Sequence, residues 1–313
     1  MQLNNNLSKS RMAALLGLAL VASAVHAETY AVCVGINDYP EKAQVTGVQG
    51  DPDLKGAVND ATAMRDILTG KFGVKSTNVQ LLTDQAASSK GFLAALTKVL
   101  DTVKPGDQFV FTFSGHGGQV EDKSEPDGKE EVIVLADDIV VPGDLFNELA
   151  KMFTLNGVNC TFIFDSCFSG GMSRDVDGKI STRTKSLGTL KPKSAARTAD
   201  VFSKSKNKGW LLKPKSQEPT ATSAFLFAGK EDKPTLDISG IPDVPDNGLF
   251  TMLLVDCLNY DSKMAIKDIY IEMNLFLDEL NKKMAAEGVD KKFDQSPTFE
   301  SVADRAAKPI LLG

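Results

Sequence analysis

The stretch "FVFTFSGHGG", Phe109–Gly118, opens as an unbroken apolar run and ends abruptly on a histidine set among glycines. A short apolar run without polar alternation reads as a strand buried on both faces. Similar runs recur on either side: "TYAVCVGI" (Thr29–Ile36), "NVQLL" (78–82), "EVIVLA" (131–136), "CTFIFD" (160–165) and "SAFLFAG" (223–229). Between them, apolar residues fall at three- and four-residue steps. Leu54, Ala57, Val58, Ala61, Met64 and Leu68 form one helical stripe. Phe92, Leu93, Leu96, Val99, Leu100 and Val103 form another, with Ser88 or Ser89 as its N-cap. Further helices are expected from Gly143-Asp144 to about Phe153, over "GLFTMLLVDCLNY" and over "AIKDIYIEMNLFLDELNKKMAAEG". Strand and helix alternate, so the expected class is α/β, a sheet with much parallel pairing covered by helices on both faces.

Residues 1–27 have the layout of a secretory signal peptide. Lys9 and Arg11 precede an apolar run, Met12–Val25, which ends in Val-His-Ala. The run is shorter than the ~20 apolar residues of a bilayer span. Export to the periplasm or the exterior is expected, with cleavage after Ala27 and no stable membrane insertion; a retained anchor is the alternative. Cleavage removes two basic groups and no acidic one, so the net charge moves from −6 to −8. That acidity argues against nucleic acid as a partner. It also removes His26, leaving His116 as the sole imidazole. Cys33, Cys160, Cys167 and Cys257 permit disulfides in an exported chain, yet a chain this long and cysteine-poor also suits buried free thiols.

The division expected from these patterns is 28–171, a basic loop or linker at 172–222, and 223–313. From Met172 to Ser223 periodicity fails, and twelve Lys or Arg stand against four Asp or Glu. Loops that long are usually functional or disordered.

Two strands end in small polar clusters: Ser114-Gly115-His116-Gly117-Gly118, and "DSCFSGG" (165–171). Open α/β sheets gather ligands beyond the C-terminal ends of their strands. If these strands are parallel neighbours, His116 and Cys167 share one edge. An imidazole beside a thiol is the pairing that nucleophilic cysteine chemistry needs. The backbone N–H groups of Gly117 and Cys167 are candidate oxyanion donors. Taken singly, a histidine in a glycine-rich loop reads equally as a turn residue, and Cys167 as an inert thiol or half of a disulfide.

"FTFSGHGG" and "FDSCFSGG" resemble the histidine and cysteine motifs of the caspase-like peptidases, specifically the metacaspase branch. "AVCVGINDY", "LKGAVNDA" and "SAFLFAGKEDKPTLD…GLFTMLLV" resemble other segments of that domain, in the family's order, over most of residues 29–260. The resemblance implies a three-layer caspase-like fold with a mostly parallel six-stranded sheet between helices. It implies peptide hydrolysis by a Cys–His dyad, Cys167 and His116. It also implies an acidic S1 pocket that selects Arg or Lys, formed by Asp60 and Asp165 and lined by Ser114. Asp60 lies on the buried stripe of its helix, where a carboxylate needs a partner. Its bland reading is a charge favoured in a helix's N-terminal half, and that of Asp165 is a turn cap.

The family's linker is often cut during maturation, and Arg174, Lys179, Arg183, Lys185 and Arg197 are candidate sites here; a solvated basic loop is the alternative. Phe168 and Ala57 depart from the family's common histidine and cysteine. No cofactor is required and no residue is assigned to a metal. Calcium is a candidate activator through acidic loops carrying Asp122, Asp127, Asp137, Asp138 and Asp144. The expected partners are peptides or proteins bearing Arg or Lys, met by a monomer. The rival readings are an inactive caspase-like binding scaffold, and a legumain- or gingipain-like peptidase with another P1 preference.

Overall fold

A computed structural model describes residues 27–40, 52–167, 174–176, 180–191, 195–196, 200, 203–206, 216–230, 233–240, 245–286, 293–301 and 303–312. The basic and apolar parts of the expected signal peptide, Phe168–Gly171, Lys179 and Arg197 lie outside the described residues. The elements run β1 (Thr29–Gly35), α1 (Ala57–Asp66), β2 (Val79–Thr83), α2 (Ser89–Thr102), β3 (Gln108–Ser114), β4 (Gly117–Glu121), β5 (Lys129–Val134), β6 (Val140–Pro142), α3 (Gly143–Leu155), β7 (Asn159–Asp165), β8 (Arg174–Val176), β9 (Ile180–Thr184), β10 (Ser186–Leu190), β11 (Ser223–Phe227), β12 (Leu236–Ser239), β13 (Asn247–Gly248), α4 (Leu249–Tyr260), α5 (Ile266–Ala286) and β14 (Thr298–Ser301).

Six strands form one sheet in the order β14-β11-β7-β3-β1-β2. Every neighbouring pair is parallel except β14 with β11. Alternation along the strands sorts the side chains. Phe109, Phe111, Phe113, Phe162 and Phe164 pack with the apolar faces of α2 and α3. Val110 and Ile163 pack on the other side with α1, α4 and α5. Burial on both faces is why these strands read as continuous apolar runs. Each enclosed phenylalanine contributes roughly 1.5–3 kcal/mol of transfer free energy. The register aligns Gly35, Ser114 and Asp165 in one row across β1, β3 and β7, so the residues after them emerge at a common edge.

Two smaller sheets flank that edge. One has the order β10-β4-β5-β6 and the other β13-β12-β9-β8. The expected strand "EVIVLA" is β5, but it pairs antiparallel with Gly117–Glu121 rather than joining the main sheet. The stretch read as an unpatterned basic loop contributes three strands, β8 to β10. β9 pairs antiparallel with β12 and β10 runs parallel to β4. None of the four cysteines is joined in a disulfide, which excludes the disulfide reading. Among the described residues, no helix is long and apolar enough to cross a membrane.

Candidate active site

His116 lies between the end of β3 and the start of β4. Its N–H donates to the Tyr39 hydroxyl at 2.8 Å, and its carbonyl accepts from Val134 N–H at 2.9 Å. The Tyr39 ring packs on the imidazole with centroids 4.7 Å apart. The Nε2 atom is 2.6 Å from the Pro52 carbonyl. A carbonyl can only accept, so Nε2 carries the proton and Nδ1 is left with a lone pair. That Nδ1 is buried and has no hydrogen-bond partner. Burial lowers the histidine pKa to about 4; the Pro52 bond opposes this, and Lys185 and Arg183 add to it. The ring is therefore a neutral base.

Cys167 follows β7 and is 3% exposed. Its thiol donates to the Lys233 carbonyl at 3.2 Å. The N–H of Cys167 and that of Gly117 donate to one and the same oxygen, the Lys185 carbonyl, at 3.1 and 2.9 Å. The histidine loop and the cysteine loop thus converge on a single carbonyl.

Lys185 joins β9 to β10 and is fully enclosed, with no exposed surface. Its N–H donates to the Thr235 carbonyl at 3.0 Å. Its ammonium donates to Asp60 Oδ2 at 2.9 Å and to Ser114 Oγ at 2.8 Å, and lies 3.1 Å from Asp165 Oδ1. Each acid is held from its far side. Asp60 accepts from the Ser114 hydroxyl at 2.6 Å, Asn247 Nδ2 at 3.0 Å and the Gly248 N–H at 2.9 Å. Asp165 accepts from the Thr251 hydroxyl and N–H at 2.6 and 3.1 Å. Burial pushes Asp165 up to about 6; Lys185 pulls it down and Asp60 pushes it up. Burial works against the Lys185 charge, but Asp165, Asp60 and Asp237 outweigh it and hold its pKa above the ordinary lysine value. The site carries more negative charge than positive, so it is built around a cation.

All six positions singled out in the sequence, Asp60, Ser114, His116, Gly117, Asp165 and Cys167, therefore gather around one lysine residue. Sequence reasoning missed Tyr39, Pro52, Asp237, Gly248 and Thr251. Asp237 accepts from the N–H groups of Lys55 and Gly56 at 2.9 and 3.1 Å, anchoring the start of α1 one turn before Asp60. A turn-rich "DPD" and the Asp of "KPTLD" were the available signals, and neither is distinctive.

Of the acidic residues considered for calcium, Asp144 joins Glu125 and Glu130 in a cluster whose carboxylate oxygens lie within 4.8 Å of one another. Burial pushes the Glu130 carboxyl up, and its Oε1 accepts from Asp144 N–H at 3.0 Å. This all-oxygen set fits a hard cation. The others serve the backbone instead: Asp122 accepts from Ser124, Asp127 from Lys129 and Asp137 from Ser89. Asp138 holds a left-handed turn at φ 64.

Residues 30–175 match the family described as metacaspase, peptidase C14 domain. Metacaspase-1A of Aspergillus oryzae is 33% identical over 181 residues, covering 54% of this chain and 40% of that protein. Metacaspase-6 of Arabidopsis thaliana is 31% identical over 163 residues, covering 50% of this chain and 42% of that protein. Metacaspase-1 of Cryptococcus neoformans var. neoformans serotype D is 33% identical over 152 residues, covering 45% and 31%. The chain thus spans less than half the length of these curated relatives. The crystal structure of protein GSU0716 from Geobacter sulfurreducens has a related fold, with a TM-score of 0.57 at 23% identity, covering 88% of this chain and 93% of that one. Residues 30–175, just under half of the chain, are thus similar to the metacaspase branch of the caspase-type cysteine peptidases.

Proposed function

We propose that this protein is a cysteine endopeptidase that cleaves after Lys or Arg, and that it is latent because Lys185 lies in its own S1 pocket. One observation carries the reading: Lys185 is bound as a scissile residue would be. Its cation meets two carboxylates, its carbonyl oxygen meets two converging N–H groups beside the thiol, and extended chain leads away on both sides. In the reaction His116 Nδ1 takes the proton of Cys167 Sγ, and the thiolate attacks the carbonyl carbon. The Gly117 and Cys167 N–H groups hold the oxyanion. The imidazolium then protonates the leaving amine, and water hydrolyses the thioester.

Mass spectrometry of the purified protein beside Cys167→Ala tests this. The expected result is a cut between Lys185 and Ser186 in wild type and none in the variant. Lys185→Ala is expected to abolish that cut while turning over fluorogenic Arg and Lys peptides and sparing Asp peptides. No turnover of any of them, with calcium or without, would overturn the enzyme reading and favour a binding scaffold. The same spectra report removal of residues 1–27, the export that the N-terminal pattern supports. Calcium belongs to this proposal as an activator held by Glu125, Glu130 and Asp144. Calorimetric titration is expected to show binding that Glu130→Gln loses.

A further inference from the structure

Gly248 lies at the end of β13, immediately before α4, with φ −67 and ψ 132. That conformation is open to any L-residue, so the backbone does not call for glycine there. The space does. A Cβ on residue 248 would stand 2.2 Å from Lys185 Nζ, 2.2 Å from Asp165 Oδ2 and 2.7 Å from Asp60 Oδ2. All three lie far inside van der Waals contact. The two carboxylates cannot easily retreat: Asp60 is fixed by Ser114, Asn247 and the Gly248 N–H itself, and Asp165 by Thr251. Both are 1% exposed. A methyl here would collide with the cation and with both carboxylates at once, and so would close the space in which the cation and the acids meet.

We propose that Gly248 is a specificity-determining residue of this site: its bare Cα forms the floor on which the P1 ammonium or guanidinium rests. The inference deepens the reading of the protein as an Arg/Lys peptidase and depends on it. It assigns two roles to one residue, since the N–H orients Asp60 and the missing side chain leaves room for the cation. Ser114 completes the floor from β3, where its hydroxyl bridges Asp60 and the ammonium.

The test compares Lys185→Ala with Lys185→Ala/Gly248→Ala, so that the pocket is vacant in both. Peptides with P1 Lys, Arg and Ala are assayed, together with the rate at which iodoacetamide alkylates Cys167. The added methyl is expected to lower kcat/KM for Lys and Arg by roughly 100-fold, mainly through KM. The loss for Lys and Arg is expected to exceed the loss for the Ala peptide by at least about tenfold, whereas a merely structural defect would lower all three alike, together with the alkylation rate. Equal kcat/KM for Lys in the two proteins overturns the inference. If Lys185→Ala itself turns over neither Lys nor Arg, the peptidase reading fails instead, and the two failures are thereby distinguished. Should the double variant not fold, Lys185→Ala decides alone. Methyl groups on the substrate nitrogen occupy the same space, so P1 Nε-trimethyl-lysine is expected to be cleaved at least about tenfold less well than Lys. Equal cleavage of the two overturns the inference.

Discussion

His116 is buried as a neutral ring, and this fixes how the protein's stability responds to acid. Its pKa falls from an ordinary 6.5 to about 4, with burial as the main cause. Between those values the unfolded chain binds a proton that the folded chain refuses, so stability is lost as pH falls through 6.5 toward 4. Asp165 has the opposite sign. Burial raises it from 3.8 to about 6, so the folded chain takes up a proton first and stability rises as pH falls through that window. The two effects oppose each other in the wild type. His116→Asn removes one of them. Relative to wild type, the variant is expected to gain about 2–3 kcal/mol between pH 7.5 and pH 4.5, by urea denaturation at both. A constant gap between the two proteins would show that the ring is not buried in its neutral form.

At the scale of elements, the strands that set the site were legible because physics left them no disguise. β1, β3, β7 and β11 are covered on both faces, so their apolar runs are continuous, and glycine after β3 and the polar turn after β7 mark where chemistry begins. The missed strands are those whose neighbours decide them. Gly117–Glu121 is glycine or polar at four of its five positions, and becomes a strand only by pairing with β5. β9 is hydrophilic, and its partner β12 lies some fifty residues away. Lys185 read only as one of several candidate cleavage points in a basic stretch, or as a solvated charge, because nothing local announces two enclosed carboxylates. The cap of α2 teaches the same lesson. Ser88 occupies the N-cap position, but its side chain makes no capping bond. Asp137 caps the helix from 48 residues away, accepting from Ser89 N–H at 2.9 Å and from its hydroxyl at 2.6 Å. Asp137→Ala is therefore expected to cost about 1 kcal/mol in chemical denaturation. Ser88→Ala is expected to cost only a few tenths of that. A larger effect at Ser88 than at Asp137 would contradict the assignment.

At the scale of the whole molecule, the sheet has two ends with different work. The C-terminal ends of its strands carry the site, and the N-terminal ends are closed by residues 305–312. Arg305 is 1% exposed and serves as the clamp. It donates to the carbonyls of Pro309 and Ile310 and, at 3.0 Å, to the Thr161 hydroxyl of β7. Thr161 donates in turn to the Ile310 carbonyl at 3.1 Å, and the Gln108 side chain of β3 exchanges hydrogen bonds with Leu312 at 2.8 and 2.7 Å. Burial of the guanidinium lowers its pKa to about 10. Its Nε has no hydrogen-bond partner. Such a cation is held by hydrogen bonds rather than by a salt bridge, so its own desolvation offsets part of what it stabilises. This separates two substitutions. Arg305→Ala leaves a cavity and strips the Pro309 and Ile310 carbonyls of their Arg305 donors, and is expected to cost about 3 kcal/mol. Arg305→Met fills most of the volume and removes the buried charge, so its cost is expected to be about half as large or less. Because the clamp lies at the edge opposite Cys167, alkylation of that thiol in folded protein is expected to proceed at the wild-type rate in both variants. Urea titration measures the first pair of outcomes and iodoacetamide kinetics the second. A methionine variant as unstable as the alanine one would mean that the hydrogen bonds of the guanidinium, and not the volume it fills, hold this end of the sheet together.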